Sequence, residues 1–189
     1  MSPGLLPFAL QLVPHPDPLD WTSVGVVFGI CVVLTGIFLL LRGVVRRPGE
    51  ENFFSTALSY PATILVTLVL FRGHAEFACV VVVVLAFGDG SAYIGGKLFG
   101  RRRLPWNADK SWAGTLSFFL VAAPIAALAY WVEARPAAPL TLAILCGAAA
   151  AVAGAVAESL PMRLTDNLRV GVAASLAVVA THFTAVAFL

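Results

Sequence analysis

The sequence predicts an all-α fold: a polytopic transmembrane helical bundle of about six spans, with both termini outside. Composition is the first reason, because 60% of the 189 residues are hydrophobic and only 12% are charged. Soluble domains are usually about one quarter charged. The second reason is the grouping of apolar residues into six long blocks. The third is the uneven distribution of Lys and Arg among the segments that connect these blocks.

Each apolar block predicts one span. A transmembrane helix needs roughly 20 apolar residues, so the four longer blocks can cross a bilayer by themselves. The second and third blocks are shorter and need neighbouring residues, and we expect the third to continue into the polar stretch that follows it. The blocks are 24–41, 57–71, 77–88, 113–132, 140–157 and 170–189.

Residues 1–20 precede the first span and contain five prolines but no Lys or Arg. A secretory signal has a basic start, a short apolar core and a cleavage site, so we interpret this stretch as a Pro-rich, loosely ordered or interfacial segment. Residues 21–189 are predicted to form a single transmembrane domain. His15, His74 and His182 are dispersed along the chain and are not expected to form a metal site.

The basic residues predict the orientation of the spans. With six spans, one face receives the loops 42–56, 89–112 and 158–169, which hold ten Lys or Arg residues, and the other face receives only Arg72 and Arg135. Cytoplasmic loops are enriched in Lys and Arg, so the first face is predicted to be cytoplasmic. Its basic residues are Arg42, Arg46, Arg47, Lys97, Arg101, Arg102, Arg103, Lys110, Arg163 and Arg169.

The stretch GDGSAYIGGKLFGRRRLPWNADKSWAGT (88–115) concentrates charge between two apolar blocks. Asp89 follows the third block directly, where an ionised carboxylate is costly and is usually functional. Mg²⁺ binds one or two carboxylates, and water and phosphate oxygens complete its coordination, so Asp89 is a candidate magnesium ligand. The alternative is a helix-end residue that faces water or pairs with a nearby arginine.

Lys110 lies in NADKSWAGT, just before an apolar block. A lysine, a hydroxyl and a glycine at a helix N-terminus can bind phosphate through backbone amides and one cation. The spacing differs from the GxxxxGK[ST] loop of P-loop proteins, and the arginine run 101–103 can equally serve topology and contact with anionic lipids. Gly96 and Gly100 form a GxxxG pair, which is typical of close helix packing.

A second acidic pair follows the fifth block. Glu158 directly follows the uncharged block 140–157, and Asp166 and Asn167 come soon after Pro161. A plain hairpin with a capping aspartate is the alternative interpretation. We favour a functional one, because three carboxylates and two lysines are predicted to gather on one face of the membrane.

Together these motifs resemble one family. The stretch 88–115, followed by AESLPMRLTDNLRV (157–170), is similar to the CTP-dependent lipid kinases: dolichol kinase, phytol kinase and the CTP-using diacylglycerol kinase. These are related to the phosphatidate cytidylyltransferases. The likeness lies in the order of the elements as well as their content, and it covers residues 86–175. Many relatives have two adjacent aspartates before the asparagine, where this chain has Thr165 and Asp166.

The resemblance implies metal-binding and catalytic roles for three carboxylates, and nucleotide contacts for six further residues. The carboxylates are Asp89, Glu158 and Asp166. The nucleotide-binding residues are Lys97, Asn107, Lys110, Ser111, Gly114 and Asn167.

The resemblance also implies an activity: transfer of the γ-phosphate of CTP, with Mg²⁺, to the hydroxyl of a lipid alcohol such as a polyprenol, phytol or diacylglycerol. A CDP-lipid synthase like phosphatidate cytidylyltransferase is the alternative, although only an apolar helix follows Asn167, where that group carries a glycine- and histidine-rich signature. A small transporter or a structural membrane subunit is a further alternative, but the midplane charges of a transport site are missing.

The expected partners are therefore the membrane, CTP and the lipid alcohol, with no nucleic acid. We expect a multi-pass protein of the cell (inner) membrane whose active-site loops are cytoplasmic. One chain could form the site alone, or a homodimer could share one.

Overall fold

The computed structural model describes residues 2–5, 7–8, 16, 18–45, 53–162 and 164–188. Within these ranges, six helices are long and apolar enough to cross a membrane. This confirms the predicted fold class and the number of spans. The helices are α1 (Trp21–Leu40), α2 (Phe53–Leu70), α3 (Ala75–Phe99), α4 (Trp112–Glu133), α5 (Leu140–Ser159) and α6 (Asp166–Phe188).

The orientation of the bundle in the membrane, with both termini outside, stays a prediction. Three arginines that support it, Arg46, Arg47 and Arg163, lie outside the described residues. His15 and much of the Pro-rich segment 1–20 also lie outside them.

Local side-chain chemistry explains where several helices begin and end. The Asp20 carboxylate accepts a hydrogen bond from the backbone N–H of Ser23 at 2.8 Å and so caps the N-terminus of α1. Helix α5 ends at Ser159, and Leu160 has an extended backbone. Pro161 follows directly, and a residue before proline is disfavoured in the helical region.

Helix α3 continues from the apolar block into the polar stretch, as expected, and spans 25 residues. It also contains a π-helical turn, Val84–Gly88, which the sequence pattern did not predict. At the end of this turn α3 packs tightly on α4, because a Cβ atom at Gly88 would lie 2.4 Å from the Phe118 ring. Asp89 comes next, so the turn sets the direction in which its side chain leaves the helix.

The core lies between α3 and the three helices α4, α5 and α6. Close contact between α4 and α5 depends on small residues, since a Cβ atom at Gly147 would lie 2.4 Å from the backbone nitrogen of Ala127. This is the packing expected for the Gly- and Ala-rich part of α5. Helix α1 is peripheral: Val24 is its buried residue, and most of its other apolar side chains are exposed, as expected for a surface that faces lipid.

A short antiparallel hairpin connects α3 to α4, which was not expected from the sequence pattern. Strands β1 (Arg103–Leu104) and β2 (Asn107–Ser111) pair with an irregular register. The turn between them holds Pro105 and Trp106, and Leu104 is buried under the hairpin. Because β2 runs directly into α4, the hairpin fixes the position of the residues just before that helix.

The bundle has two polar ends. The hairpin end comprises β1, β2, the C-terminus of α5 and the N-terminus of α6. The opposite end comprises the turn 71–74 and the C-terminal halves of α4 and α6. At the opposite end the rings of His74 and His182 lie 4.7 Å apart, so the expectation that the histidines are dispersed is wrong for this pair. The two histidines meet because the N-terminus of α3 and the C-terminus of α6 lie at the same side of the bundle.

Candidate active site

A polar cavity of about 350 Å³ lies at the hairpin end, enclosed by α3, β2, α4, α5 and α6. Seven of the nine predicted site residues line it, including all three carboxylates and both lysines. The convergence expected from the positions of these charges along the chain is therefore present in the fold. The lining residues are Asp89, Ala92, Tyr93, Gly96, Lys97, Arg103, Asp109, Lys110, Ser111, Gly114, Thr115, Glu158 and Asp166.

Lys110 is the central cation of the cavity. Its Nζ donates to Glu158 Oε1 at 2.5 Å and to Asp166 Oδ2 at 3.1 Å. The lysine is on β2, whereas the carboxylates are at the end of α5 and the start of α6. The ammonium group thus joins β2 to the end of α5 and the start of α6, at residues 48 and 56 positions later in the sequence.

Two opposing effects act on the pKa of Lys110. Burial favours the neutral amine, while the neighbouring Glu158 and Asp166 favour the ammonium form, and the net result is a pKa raised above the ordinary value of 10.5. Lys110 is therefore a permanent cation at physiological pH. An ammonium ion at this position can bind a phosphate oxygen as well as the two carboxylates.

Arg169 is a contributor that sequence reasoning missed, because it was counted only for topology. Its Nη2 donates to Asp166 Oδ1 and its Nη1 donates to the carbonyl oxygen of Leu160. Arg169 is buried, and its Nε has no hydrogen-bond partner among the described residues. The signal was the i, i+3 spacing of Asp166 and Arg169 at a helix start, which places the two side chains on one face.

The N-terminus of α4 points into the cavity. The Ser111 hydroxyl accepts a hydrogen bond from the backbone N–H of Gly114 at 3.2 Å, so it caps the helix. A Cβ atom at Gly114 would lie 3.0 Å from the carbonyl oxygen of Ala92 and 3.5 Å from Gly96 Cα. Gly114 on α4 and Gly96 on α3 therefore let the two helices approach closely, and this brings Lys110 beside the side chains of α3.

Helix α3 supplies one wall of the cavity. Asp89, Tyr93 and Lys97 recur every four residues and so share one face of the helix, and all three line the cavity. The Lys97 ammonium is 5.9 Å from the centre of the Tyr93 ring, and its side chain is exposed at the rim. Asp89 is half-buried, directly after the π-helical turn.

Two predicted nucleotide-binding residues, Asn107 and Asn167, do not line the cavity. Asn107 Nδ2 donates to the carbonyl oxygen of Ser159 at 3.1 Å, which fastens the hairpin to the end of α5. Asn167 Nδ2 donates to the carbonyl oxygen of Thr56 at 2.9 Å, which fastens α6 to the start of α2. In this structure both amides hold elements around the site, and their contact with a nucleotide stays a prediction.

The donor set suits Mg²⁺ carried by a phosphate group better than a protein-only metal site. Four carboxylates and three cations line the cavity, so its own charge does not favour a polyanion. Among the described residues, Asp89, Glu158 and Asp166 do not bring three oxygens within 4.8 Å of one another, and Lys110 already occupies oxygens of the last two. Since Mg²⁺ needs only one or two carboxylates when phosphate and water complete its shell, the residues fit such an ion.

Comparison with known proteins decides the family. Residues 8–163 match the family described as the cytidylyltransferase family, and this match covers well over half of the chain. The chain belongs to the cytidylyltransferase family. The resemblance to lipid kinases related to cytidylyltransferases, found from the sequence motifs, is thereby confirmed, since the similar curated proteins of this group are named as kinases.

Three of these relatives are plant proteins. Phytol kinase 1, chloroplastic, from Arabidopsis thaliana is 30% identical over 164 residues, which are 82% of this chain and 54% of the relative. Probable phytol kinase 1, chloroplastic, from Oryza sativa subsp. japonica is 29% identical over 148 residues, 73% of this chain and 46% of the relative. Farnesol kinase, chloroplastic, from Arabidopsis thaliana is 27% identical over 147 residues, which are 72% of this chain and 46% of the relative.

The chain thus spans about half the length of the curated relatives it matches. No solved structure matches this family member.

Proposed function

We propose that this protein transfers the γ-phosphate of CTP to the hydroxyl of a lipid alcohol at the hairpin end of the bundle. The observation that carries the proposal is the cavity in which Lys110, the capped N-terminus of α4 and Asp89 meet. Phosphoryl transfer depends mainly on positioning and on neutralising charge. A cation, helix amides and a metal-binding carboxylate are the groups that it needs.

The structure favours a division of roles among the three carboxylates. Asp89 would bind Mg²⁺, which supplies charge neutralisation across the phosphates when it is bound with CTP. Glu158 and Asp166 would hold Lys110 so that its ammonium faces the triphosphate. Glu158 is the more buried of the two, with 5% of its side chain exposed against 44% for Asp166, and it is the one proposed to accept the alcohol proton.

The remaining predicted residues would complete the nucleotide site. Lys97 at the rim would contact the outer phosphates or the nucleotide's ribose, and Ser111 and Gly114 would keep the α4 amides close to the triphosphate. Asn107 and Asn167 would act by holding the hairpin and α6 in place around CTP.

The acceptor would be an isoprenoid alcohol. The relatives are named phytol kinase and farnesol kinase, and both named alcohols are apolar isoprenoid chains with one terminal hydroxyl. Such a chain would lie in the bilayer and reach the cavity sideways between helices, while CTP and Mg²⁺ would enter from the cytoplasmic side of the cell membrane. A longer polyprenol and diacylglycerol are the other acceptors to be tested.

The second candidate is transfer of the CMP part of CTP to a phosphatidate-like lipid. The description of the family itself favours it, because the same triphosphate cavity could present a different phosphorus to the acceptor. The kinase is preferred because the similar curated proteins are named as kinases.

The test uses purified protein in lipid with Mg²⁺ and phytol, farnesol, a polyprenol, diacylglycerol or phosphatidate as acceptor. CTP and ATP are supplied in separate reactions, and the lipid product is identified by mass spectrometry. We expect a monophosphate of an isoprenoid alcohol and release of CDP. A CDP-lipid from phosphatidate would establish the second candidate, and no product with any acceptor from a folded preparation would leave a transporter or a structural subunit.

Two matched substitutions connect the activity to the cavity. Lys97→Gln removes a cation that lines the cavity and should raise the KM for CTP. Arg101→Gln removes an exposed cation of the same basic loop that does not line it and should leave the KM unchanged. An equal effect of both would indicate that the loop acts only through its general positive charge.

A further inference from the structure

A second group of ligand-type side chains lies at the opposite end of the bundle, away from the cavity. Atoms of His74, Glu76 and His182 that can bind a metal all lie within 4.8 Å of one another. His182 comes 16 residues after Asp166 along α6, which corresponds to about 24 Å of helix at the usual rise of 1.5 Å per residue. The group is therefore independent of the candidate active site.

The closest pair of ligand atoms already has a separation compatible with coordination. His74 Nδ1 and Glu76 Oε1 are 2.9 Å apart. Two ligands of a tetrahedral Zn²⁺, with bonds of about 2.0–2.2 Å, lie about 3.4 Å apart. The third ligand atom, from His182, is at most 4.8 Å from the others, so shifts of about 1.4 Å or less would bring it to that same spacing.

The structure also provides a hydrogen-bond partner for the ring nitrogen of His182 that would not bind the metal. The Tyr130 hydroxyl and His182 Nδ1 are 2.5 Å apart. If Nδ1–H donates to the tyrosine oxygen, Nε2 of His182 carries the lone pair that a metal needs. Metal-bound histidines usually have their other ring nitrogen held in this way.

Burial and rigidity complete the case for a built site. Glu76 is 3% exposed, at the start of α3, while about a third of the His74 side chain is exposed, so an ion can reach the group from the polar end. The rings are held by aromatic packing, with His74 stacked on Phe77 at 4.8 Å and the His182 ring 5.0 Å from Phe183. The turn before α3 would be cross-linked to α6 by an ion bound here.

We propose that His74, Glu76 and His182 form a binding site for a divalent transition metal, with Zn²⁺ as the best fit and water as the fourth ligand. Two imidazoles and one carboxylate suit Zn²⁺ better than Mg²⁺ or Ca²⁺, which prefer oxygen ligands only. The role is structural: the ion holds the turn 71–74 against α6, and this fixes the positions of α2, α3 and α6 relative to one another at this end of the bundle.

The first test measures zinc in tag-free protein that has been stripped with a chelator and dialysed against Zn²⁺. We expect one tightly bound zinc per chain and a higher melting temperature with zinc than with chelator. A wild-type protein that retains no zinc and shows no melting shift would overturn the proposal and leave a His74–Glu76 ion pair inside an aromatic cluster.

Variants locate the ion. Glu76→Gln keeps the side-chain shape and should lower zinc affinity at least about 100-fold, and Tyr130→Phe, which keeps the ring, should lower it about 10- to 100-fold. Asp89→Asn, in the cavity, should leave zinc binding unchanged. Loss of zinc in Asp89→Asn but not in Glu76→Gln would place the ion in the cavity and overturn the proposal.

Spectroscopy provides a check that does not depend on folded variants. Co²⁺ in place of Zn²⁺ should give a spectrum of nitrogen and oxygen ligands without a thiolate charge-transfer band. A thiolate band would show that a cysteine such as Cys79 or Cys146 is a ligand instead, and the proposed ligand set would be wrong.

Discussion

Removal of the Lys110 ammonium tests whether this residue is structural, functional or both. In Lys110→Met, Glu158 stays 5% exposed and loses the cation that is 2.5 Å away. Breaking a buried pair in this way costs about 3–5 kcal/mol. Because the cavity admits water and a quarter of the Lys110 side chain is exposed, we expect the lower end, about 3 kcal/mol. For a chain of this length that corresponds to an apparent melting temperature about 6–12 °C lower.

The double variant Lys110→Met/Glu158→Gln separates the two roles. It removes both charges, so the penalty of an uncompensated carboxylate disappears and we expect most of the melting temperature to return. Activity should stay lost, because the double variant lacks both the cation that faces the triphosphate and the carboxylate proposed to accept the alcohol proton. Thermal unfolding in detergent and CTP turnover in lipid are the two assays, compared across wild type, both single variants and the double variant.

Two results would refute this reasoning. Wild-type stability in Lys110→Met would show that the ammonium does not compensate Glu158, and full activity in the stabilised double variant would remove Lys110 from the nucleotide site.

The stabilisation by Lys110 also has a defined pH range. Since the pKa of Lys110 is raised in the folded protein, its stabilisation is fully present below the ordinary lysine pKa of 10.5 and is lost only as the pH rises through the raised value.

Three further substitutions probe separate parts of the site. Asp89→Asn should lower turnover at least about 100-fold by weakening metal-phosphate binding. The control Asp20→Asn makes the same change at a helix cap that asparagine also satisfies, and it should leave turnover unchanged. Full activity in Asp89→Asn would exclude the metal-ligand role. Gly114→Ala should push α4 away from α3, lower the free energy of unfolding by about 1–3 kcal/mol and raise the KM for CTP. The control Gly29→Ala, where no atom lies within 4 Å of the added Cβ, should be neutral or slightly stabilising. Equal melting temperatures of the two variants would contradict the close packing at Gly114. Asn107→Ala removes the 3.1 Å hydrogen bond to the end of α5 and should raise the KM for CTP with little change in kcat; an unchanged KM would show that the hairpin does not need this bond.

Much of the fold could be predicted because hydropathy decides it. Blocks of about 20 apolar residues must form helices in a bilayer, where every backbone hydrogen bond has to be satisfied internally. The hairpin could not be predicted in the same way. The segment 103–111 is short, largely polar and interrupted by Pro105, and the pairing of its strands is imposed by the ends of the helices that it connects.

The gathering of the site was predictable, whereas its internal connections were not. Asp89, Glu158 and Asp166 each stand at the edge of an apolar block, so their common location follows from the alternation of spans. Whether Lys110 would pair with two of them, or the asparagines would turn to backbone carbonyls, depends on contacts between residues about 50–110 positions apart. The pairing of His74 with His182 was missed for the same reason.

Kinase and cytidylyltransferase activity are distinguished by CTP labelled at either the α- or the γ-phosphorus, with phytol, farnesol and phosphatidate as acceptors and Mg²⁺ present. We expect label to reach an isoprenoid alcohol only from the γ position, and we expect Asp89→Asn to lower this transfer at least about 100-fold. Label that reaches lipid only from the α position, as a CDP-lipid, would contradict this expectation and would assign the cavity to cytidylyl transfer.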